Sequence, residues 1–131
     1  MRQGYIVKVP ANGSCAVIPA GAENGVIPAE TLAELLETDV TERMRIPAAP
    51  AELTGENRVL CYWIDARGGE KDLPVNFCGT CFYHTGCPIH GDLLIAPADS
   101  DAEESTIWGF TQEYAEAVAA WLKAQFPEYL L

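Results

Sequence analysis

"NRVLCYWID", residues 57 to 65, is the most strand-like stretch of the chain, dense in aromatic and aliphatic residues and closed by the turn-forming run "ARGGEKD". Alternation puts Val59, Cys61 and Trp63 on one side and Leu60, Tyr62 and Ile64 on the other. A strand that is apolar on both sides has to be covered on both sides. The stretch therefore predicts a central strand of a sheet.

Working outward, "YIVKVP" (5–10) and "CAVIP" (15–19) are two short β-rich runs joined by "ANGS", in which Asn12-Gly13 is a hairpin turn signal. They should pair antiparallel. In "IPAETLAELLET" (27–38), Pro28 suits a first helical position, Glu30 the first turn, and Leu32, Leu35 and Leu36 share a face, so a helix should cover the hairpin. "ERMRI" (42–46) reads as a further short strand and "PAAPAELTGEN" (47–57) as a Pro-rich loop. Beyond the central stretch, "DLLIAP" (92–97) is a second buried strand and "DSDAEES" (99–105) a solvated acidic loop. Thr111 can cap a helix over "QEYAEAVAAWLKAQF" (112–126), where Tyr114, Val118, Trp121, Leu122 and Phe126 form an apolar stripe before Pro127 stops it. The expectation is an α+β fold: a small mixed or antiparallel sheet, with an N-terminal ββα unit and further strands near 57–65 and 91–97, packed against two helices. At 131 residues the chain fits one domain, 1–131, large enough to bury about two thirds of its unfolded surface.

Charge narrows the function classes. The formal net charge is −11, so nucleic-acid phosphate meets a repulsive field and direct binding to DNA or RNA is disfavoured. The acidity is uneven. No Lys or Arg lies between Lys71 and Lys123, while Asp72, Asp92, Asp99, Asp101, Glu103, Glu104, Glu113 and Glu116 all do. The expected partners are basic protein surfaces, cationic ligands or metal ions. The N-terminus lacks the apolar run of a secretory signal, and no apolar run approaches a membrane span, so the reading is cytoplasmic with no membrane partner. Thiols stay reduced there. Cys15 and Cys61, in apolar strand-like stretches, read as core residues.

The densest chemistry is "CGTCFYHTGCPIH" (78–90), which spaces Cys78, Cys81, His84, Cys87 and His90 three apart. Zinc needs four N or S ligands in a tetrahedron. Cys78 and Cys81 have knuckle spacing, Cys87 and His90 could complete the set, and His84 would be spare or competing. Only five residues separate Cys81 from Cys87, where common fingers and ribbons place a dozen or more, so a closed site would require a coiled loop. The competing reading treats these cysteines as small apolar residues and the histidines as exposed or locally hydrogen-bonded. An iron–sulfur reading lacks a fourth cysteine at the right gap, and a C-x-x-C redox reading lacks its βαβ surroundings. No nucleophile elbow, P-loop, dinucleotide fingerprint or H-E-x-x-H occurs, which favours a non-enzymatic protein. Asp65 could serve as a ligand or base. More commonly an Asp at such a place only caps the turn.

At "DARGGEKDLPVN", "GTCFY" and "IHGDLLIAP" the chain resembles the small proteins called domain of unknown function 3846, found in bacteria, phages and conjugative elements. The resemblance rests on residues 65–97, with Leu73, Pro74 and Asn76 as its pattern and Gly91 opening the next strand. It implies a compact α+β fold and a mobile-element setting, and it brings no established activity or cofactor. The Cys and His residues depart from the pattern, so a zinc site would be a local elaboration.

Two functions follow as expectations. In the first, the chain is a small acidic accessory protein of a mobile genetic element that engages a basic protein surface through Asp99, Asp101, Glu103 and Glu104, as a DNA-like decoy for a host defence or DNA-processing enzyme. In the second, it is a zinc-binding domain, structural or catalytic, built on the 78–90 cluster.

Overall fold

The structure is a computed structural model and describes residues 4–11, 15–22, 24–46, 53, 58–76 and 88–125. Five strands, β1 (Tyr5–Val9), β2 (Ala16–Pro19), β3 (Thr41–Arg45), β4 (Val59–Asp65) and β5 (Leu93–Ala98), form one sheet in the order β2-β1-β5-β4-β3. Every pairing is antiparallel, which decides between the mixed and antiparallel alternatives. Helices α1 (Ala29–Leu35) and α2 (Gln112–Gln125) complete the α+β fold among the described residues.

The predicted interior strand is β4, held between β5 and β3 with Trp63 facing Leu94 on one side and Arg43 on the other. Its alternation sorts residues into two cores. Leu60, Tyr62 and Ile64 join Leu93, Ile95, Val7 and Val9 beneath Ala115, Val118, Ala119 and Leu122 of α2. Cys61 and Trp63 join Leu94, Ala96, Ile6 and Ile27 beneath Leu32 and Leu36 of the α1 segment. The helices thus cover opposite faces, as a strand apolar on both sides requires. Cys15 and Cys61 are buried free thiols in these cores.

The boundaries differ slightly from expectation. β5 starts at Leu93, not at residue 91, because Gly91 adopts φ +87° and turns the chain before pairing begins. Pro28 precedes the first helical residue with φ −63° and ψ 141°, an extended geometry that starts α1 one residue later than the proline. Thr111 does cap α2, its hydroxyl accepting the Tyr114 N–H at 3.2 Å. The Asn12-Gly13 turn, most of the Pro-rich loop, Phe126 and Pro127 lie outside the described residues. Among the described residues no helix is long and apolar enough to cross a membrane.

The apolar stripe of α2 needs a correction. Tyr114 is 50% exposed, and the buried positions are Ala115, Val118, Ala119 and Leu122, with Trp121 half-buried. Two alanines on the inner face let the helix approach the sheet closely, which rotates the buried arc away from Tyr114. Leu122→Ala should lower unfolding free energy by about 2–5 kcal/mol, whereas Tyr114→Ala should stay within about 0.5 kcal/mol of the parent, as read by chemical denaturation.

Candidate functional site

The C-terminal ends of β1 and β4 and the N-terminal end of β5 meet at one end of the sheet. Beyond them opens a cleft of about 540 Å³, bounded by Lys8 of β1 and Pro10 just after it, by Leu35 to Glu37 at the end of α1, and by Asp65, Lys71, Leu73, Gly91 and Asp92.

The α1 end is shaped by its cap. The Thr38 N–H reaches the Ala33 carbonyl and the Glu37 N–H the Glu34 carbonyl, the paired bonds of a Schellman turn. The left-handed residue such a turn needs is Glu37, at φ 55°, where glycine is the usual choice. This turn aims the Glu37 carbonyl at the Lys71 ammonium, 3.4 Å away.

Asp65 joins α1 to the turn after β4. Its Oδ1 accepts the Thr38 hydroxyl at 2.8 Å and the Arg67 N–H at 2.9 Å, and its Oδ2 meets the Lys71 ammonium at 2.6 Å. The side chain is only 3% exposed. Burial alone would push this carboxyl up. The hydrogen bonds from Lys71, Arg67 and Thr38, with the Lys71 charge, outweigh burial and hold it below the ordinary aspartate value. Asp65 is therefore a turn cap, as its place in the sequence suggested, and also the buried anchor of the cleft floor.

The opposite wall is a short ladder. The Asn76 N–H donates to the Ile89 carbonyl and the Gly91 N–H to the Pro74 carbonyl, each at 2.7 Å, around a bridge between Val75 and His90. The Asn76 amide, almost fully buried, donates to the carbonyls of Val9 and Gly91 at 3.0 Å each and ties the ladder to the sheet. At Gly91 a Cβ would stand 2.9 Å from Leu73 Cδ1, so only glycine at this positive φ leaves Leu73 its place in the wall. Asp92 extends the wall, accepting the Ala11 N–H at 3.0 Å through Oδ1 and facing Lys8 at 3.6 Å through Oδ2.

The residues expected to hold zinc divide. Cys78, Cys81, His84 and Cys87 lie outside the described residues. His90 is half-buried, and its Nδ1 donates to the Leu73 carbonyl at 2.7 Å, a bond that fixes the orientation of the ring. Among the described residues, no three His, Cys, Asp or Glu side chains group as a metal site.

The acidic residues expected to meet a partner stand at the other end of β5. Asp99, Asp101, Glu103 and Glu104 are all exposed on the loop that follows it. The loop is clamped from beneath. The Arg43 guanidinium donates to the carbonyls of Ser100, Ala102 and Ser105 and to the Ser105 hydroxyl while stacking over the Trp63 ring, its carbon 5.0 Å from the centroid. Asp99 is partly engaged, accepting the Trp108 indole N–H at 2.9 Å. The acidity between residues 92 and 116 is not one surface, since Asp92 belongs to the cleft and Glu113 and Glu116 project from α2.

Lys8, Lys71 and the Glu37 turn were not legible as site residues. Lys8 reads as the polar member of an alternating strand and Lys71 as a turn lysine. The nearest signal was the motif pattern, since Leu73, Pro74 and Gly91 line the cleft and Asn76 braces it.

Asp65→Asn keeps the shape and removes the charge. At pH 7 it should cost about 1–2 kcal/mol, because the half-exposed Lys71 end is screened by solvent. Because the folded carboxyl titrates below the ordinary value of about 3.9, its contribution is complete above about pH 4 and disappears as pH falls through the lower folded value. Melting temperature followed from pH 7 to pH 2 should therefore drop more steeply below pH 4 for the parent than for the variant. Compared with models of known families, with curated proteins and with solved structures, the chain matches none, so its function is argued from this geometry.

Proposed function

We propose that the protein is a small acidic interaction module that docks on a basic protein surface through the loop 99–104. The observation that carries this reading is the Arg43 clamp. A loop whose only task is to keep a chain soluble needs no fixed shape, yet here four acceptors on Ser100, Ala102 and Ser105 are gathered by one guanidinium braced on Trp63. Holding the loop in one conformation before contact removes ordering cost from binding. The exposed carboxylates of Asp101, Glu103 and Glu104 then form a preset negative surface on a chain of net charge −11. A mobile-element setting, as the family resemblance implies, makes the DNA-binding groove of a defence or DNA-processing enzyme the fitting partner class. A cytoplasmic location accords with Cys15 and Cys61 as buried free thiols.

The test is calorimetric titration into purified DNA-handling enzymes with basic grooves, at several salt concentrations and with duplex DNA as competitor. One-to-one binding should weaken with salt and be displaced by DNA. Neutralising Asp101, Glu103 and Glu104 together should weaken it roughly tenfold, at a few tenths to 1 kcal/mol per exposed charge. Arg43→Gln, which keeps the acidic residues and frees the loop, should weaken it mainly through faster dissociation. Absence of binding at low salt would overturn the proposal.

A second reading is favoured by one observation at His90. Its Nδ1 bonded to a backbone carbonyl is the arrangement that orients a zinc-ligating histidine, whose other ring nitrogen takes the metal. Cys78, Cys81 and Cys87 would supply the remaining ligands. Elemental analysis of untagged protein purified without added metal should then find about one zinc per chain, tetrahedral zinc sites taking four such ligands, and His90→Gln should lower that content. A parent chain without zinc whose melting temperature is the same in chelator rules this reading out.

A further inference from the structure

After the acidic loop the chain turns back beside β5, the Asp99 N–H donating to the Thr106 carbonyl at 3.1 Å and the Trp108 N–H to the Pro97 carbonyl at 2.8 Å. The returning segment then meets residues 25–27. The Ile27 N–H donates to the Ile107 carbonyl and the Gly109 N–H to the Gly25 carbonyl, each at 2.9 Å, on either side of an antiparallel bridge between Val26 and Trp108. Bonds that flank a pair in this way leave its two side chains next to each other on one face, with Cβ atoms about 4.5–5.5 Å apart.

The pair is held in place from several directions. The Trp108 indole N–H donates to Asp99 Oδ1 at 2.9 Å, and the Arg58 guanidinium lies over the ring, 4.2 Å from its centroid. On the Val26 side, Asn24 at φ 55° and Gly25 at φ 81° turn the chain sharply into the bridge. Ring and neighbour are therefore ordered before any contact, which lowers the cost of binding.

Burial sets this tryptophan apart from Trp63, which is 3% exposed and lies in a core cluster. Trp108 is only half-buried, and Val26 beside it is 36% exposed. An ordered tryptophan and arginine at the surface, bordered by polar groups, are the residue types on which protein interfaces concentrate their binding energy. The border here is the acidic loop. Asp99 belongs to both, since it is exposed at the start of the loop and also holds the indole.

We propose that the docking surface extends from the loop onto Trp108 and Val26, and that it takes a protein segment in which an apolar side chain is flanked by basic residues. This rests on the docking role proposed above for the loop and adds its specificity. Charge draws the segment to Asp99, Asp101, Glu103 and Glu104, and the apolar side chain seats it on the Val26–Trp108 pair. A partner that offers charge alone leaves that pair uncovered.

The experiment is a two-dimensional ¹H–¹⁵N NMR titration of the whole chain, at low and at physiological salt, with two capped peptides of equal charge. One carries Leu-Phe between two Lys-Arg-Lys blocks, and the other has Ser-Ser in place of Leu-Phe. The Leu-Phe peptide should move the loop amides together with the Val26 amide and the Trp108 indole N–H. It should bind roughly fivefold or more tighter than the Ser-Ser peptide, the gain expected from partial burial of an apolar side chain. Trp108→Ala should abolish that preference and leave the affinity for the Ser-Ser peptide unchanged. Val26→Ser, at an exposed position that folding tolerates, should do the same and decides the matter if Trp108→Ala fails to fold. Equal affinities, with shifts confined to the loop, would overturn the inference and leave the docking role of the loop standing. Failure of both peptides to bind at low salt would overturn both. Binding that moves Val26 and Trp108 but not the loop, and that salt does not weaken, would also overturn it, because the two parts would not act as one surface.

Discussion

The pairing of β4 with β5 is the constraint on which the rest of this structure depends. Nearly every residue of both strands is buried, so neither face of the sheet can meet water. Each face needs a cover, and the chain supplies one to each: α2 over Leu60, Tyr62, Leu93 and Ile95, and the α1 segment over Cys61, Trp63, Leu94 and Ala96. The order β2-β1-β5-β4-β3 then follows, because the N-terminal hairpin flanks β5 on one side and β3 flanks β4 on the other.

A sheet this apolar leaves polar chemistry only at its ends, and the two ends of β5 differ. At the C-terminal end a single arginine organises backbone carbonyls, so a strongly acidic loop keeps a fixed outline above Cys61. Burial pushes the Cys61 thiol up to about 11, Arg43 opposing and Asp101 adding to it. At the N-terminal end alternating lysines and carboxylates meet around a cleft, and strands β1, β4 and β5 each contribute one charged group at or beside their ends. Lys8, Leu94, Trp63 and Arg43 run in one cross-strand row on the α1 face.

Much of the fold was readable because two-residue periodicity is a local property. Val59 to Ile64 alternate by themselves, and the paired faces observed are those the alternation names. The hairpin of "YIVKVP" and "CAVIP" was legible for the same reason, as was the Thr111 cap. Helix α2 shows where such reading stops. An apolar arc can be drawn through Tyr114 or through Ala115 and Ala119 with nearly equal right. Close packing against the sheet, which small residues permit, chose the second.

The strands, the two-sided burial of β4, the sign and uneven placement of charge, and the exposure of Asp101, Glu103 and Glu104 could be read from the chain, because each depends on residue type and near neighbours. It took the folded chain to show that Lys8, Glu37, Asp65 and Lys71 share a cleft, that Asn76 ties the wall at Leu73 and Gly91 to β1, and that Arg43 reaches across to clamp the loop beyond β5. These contacts join residues 27 to 67 positions apart. Their geometry depends on strand order, register and the turn that ends α1, none of which leaves a periodic trace in the chain.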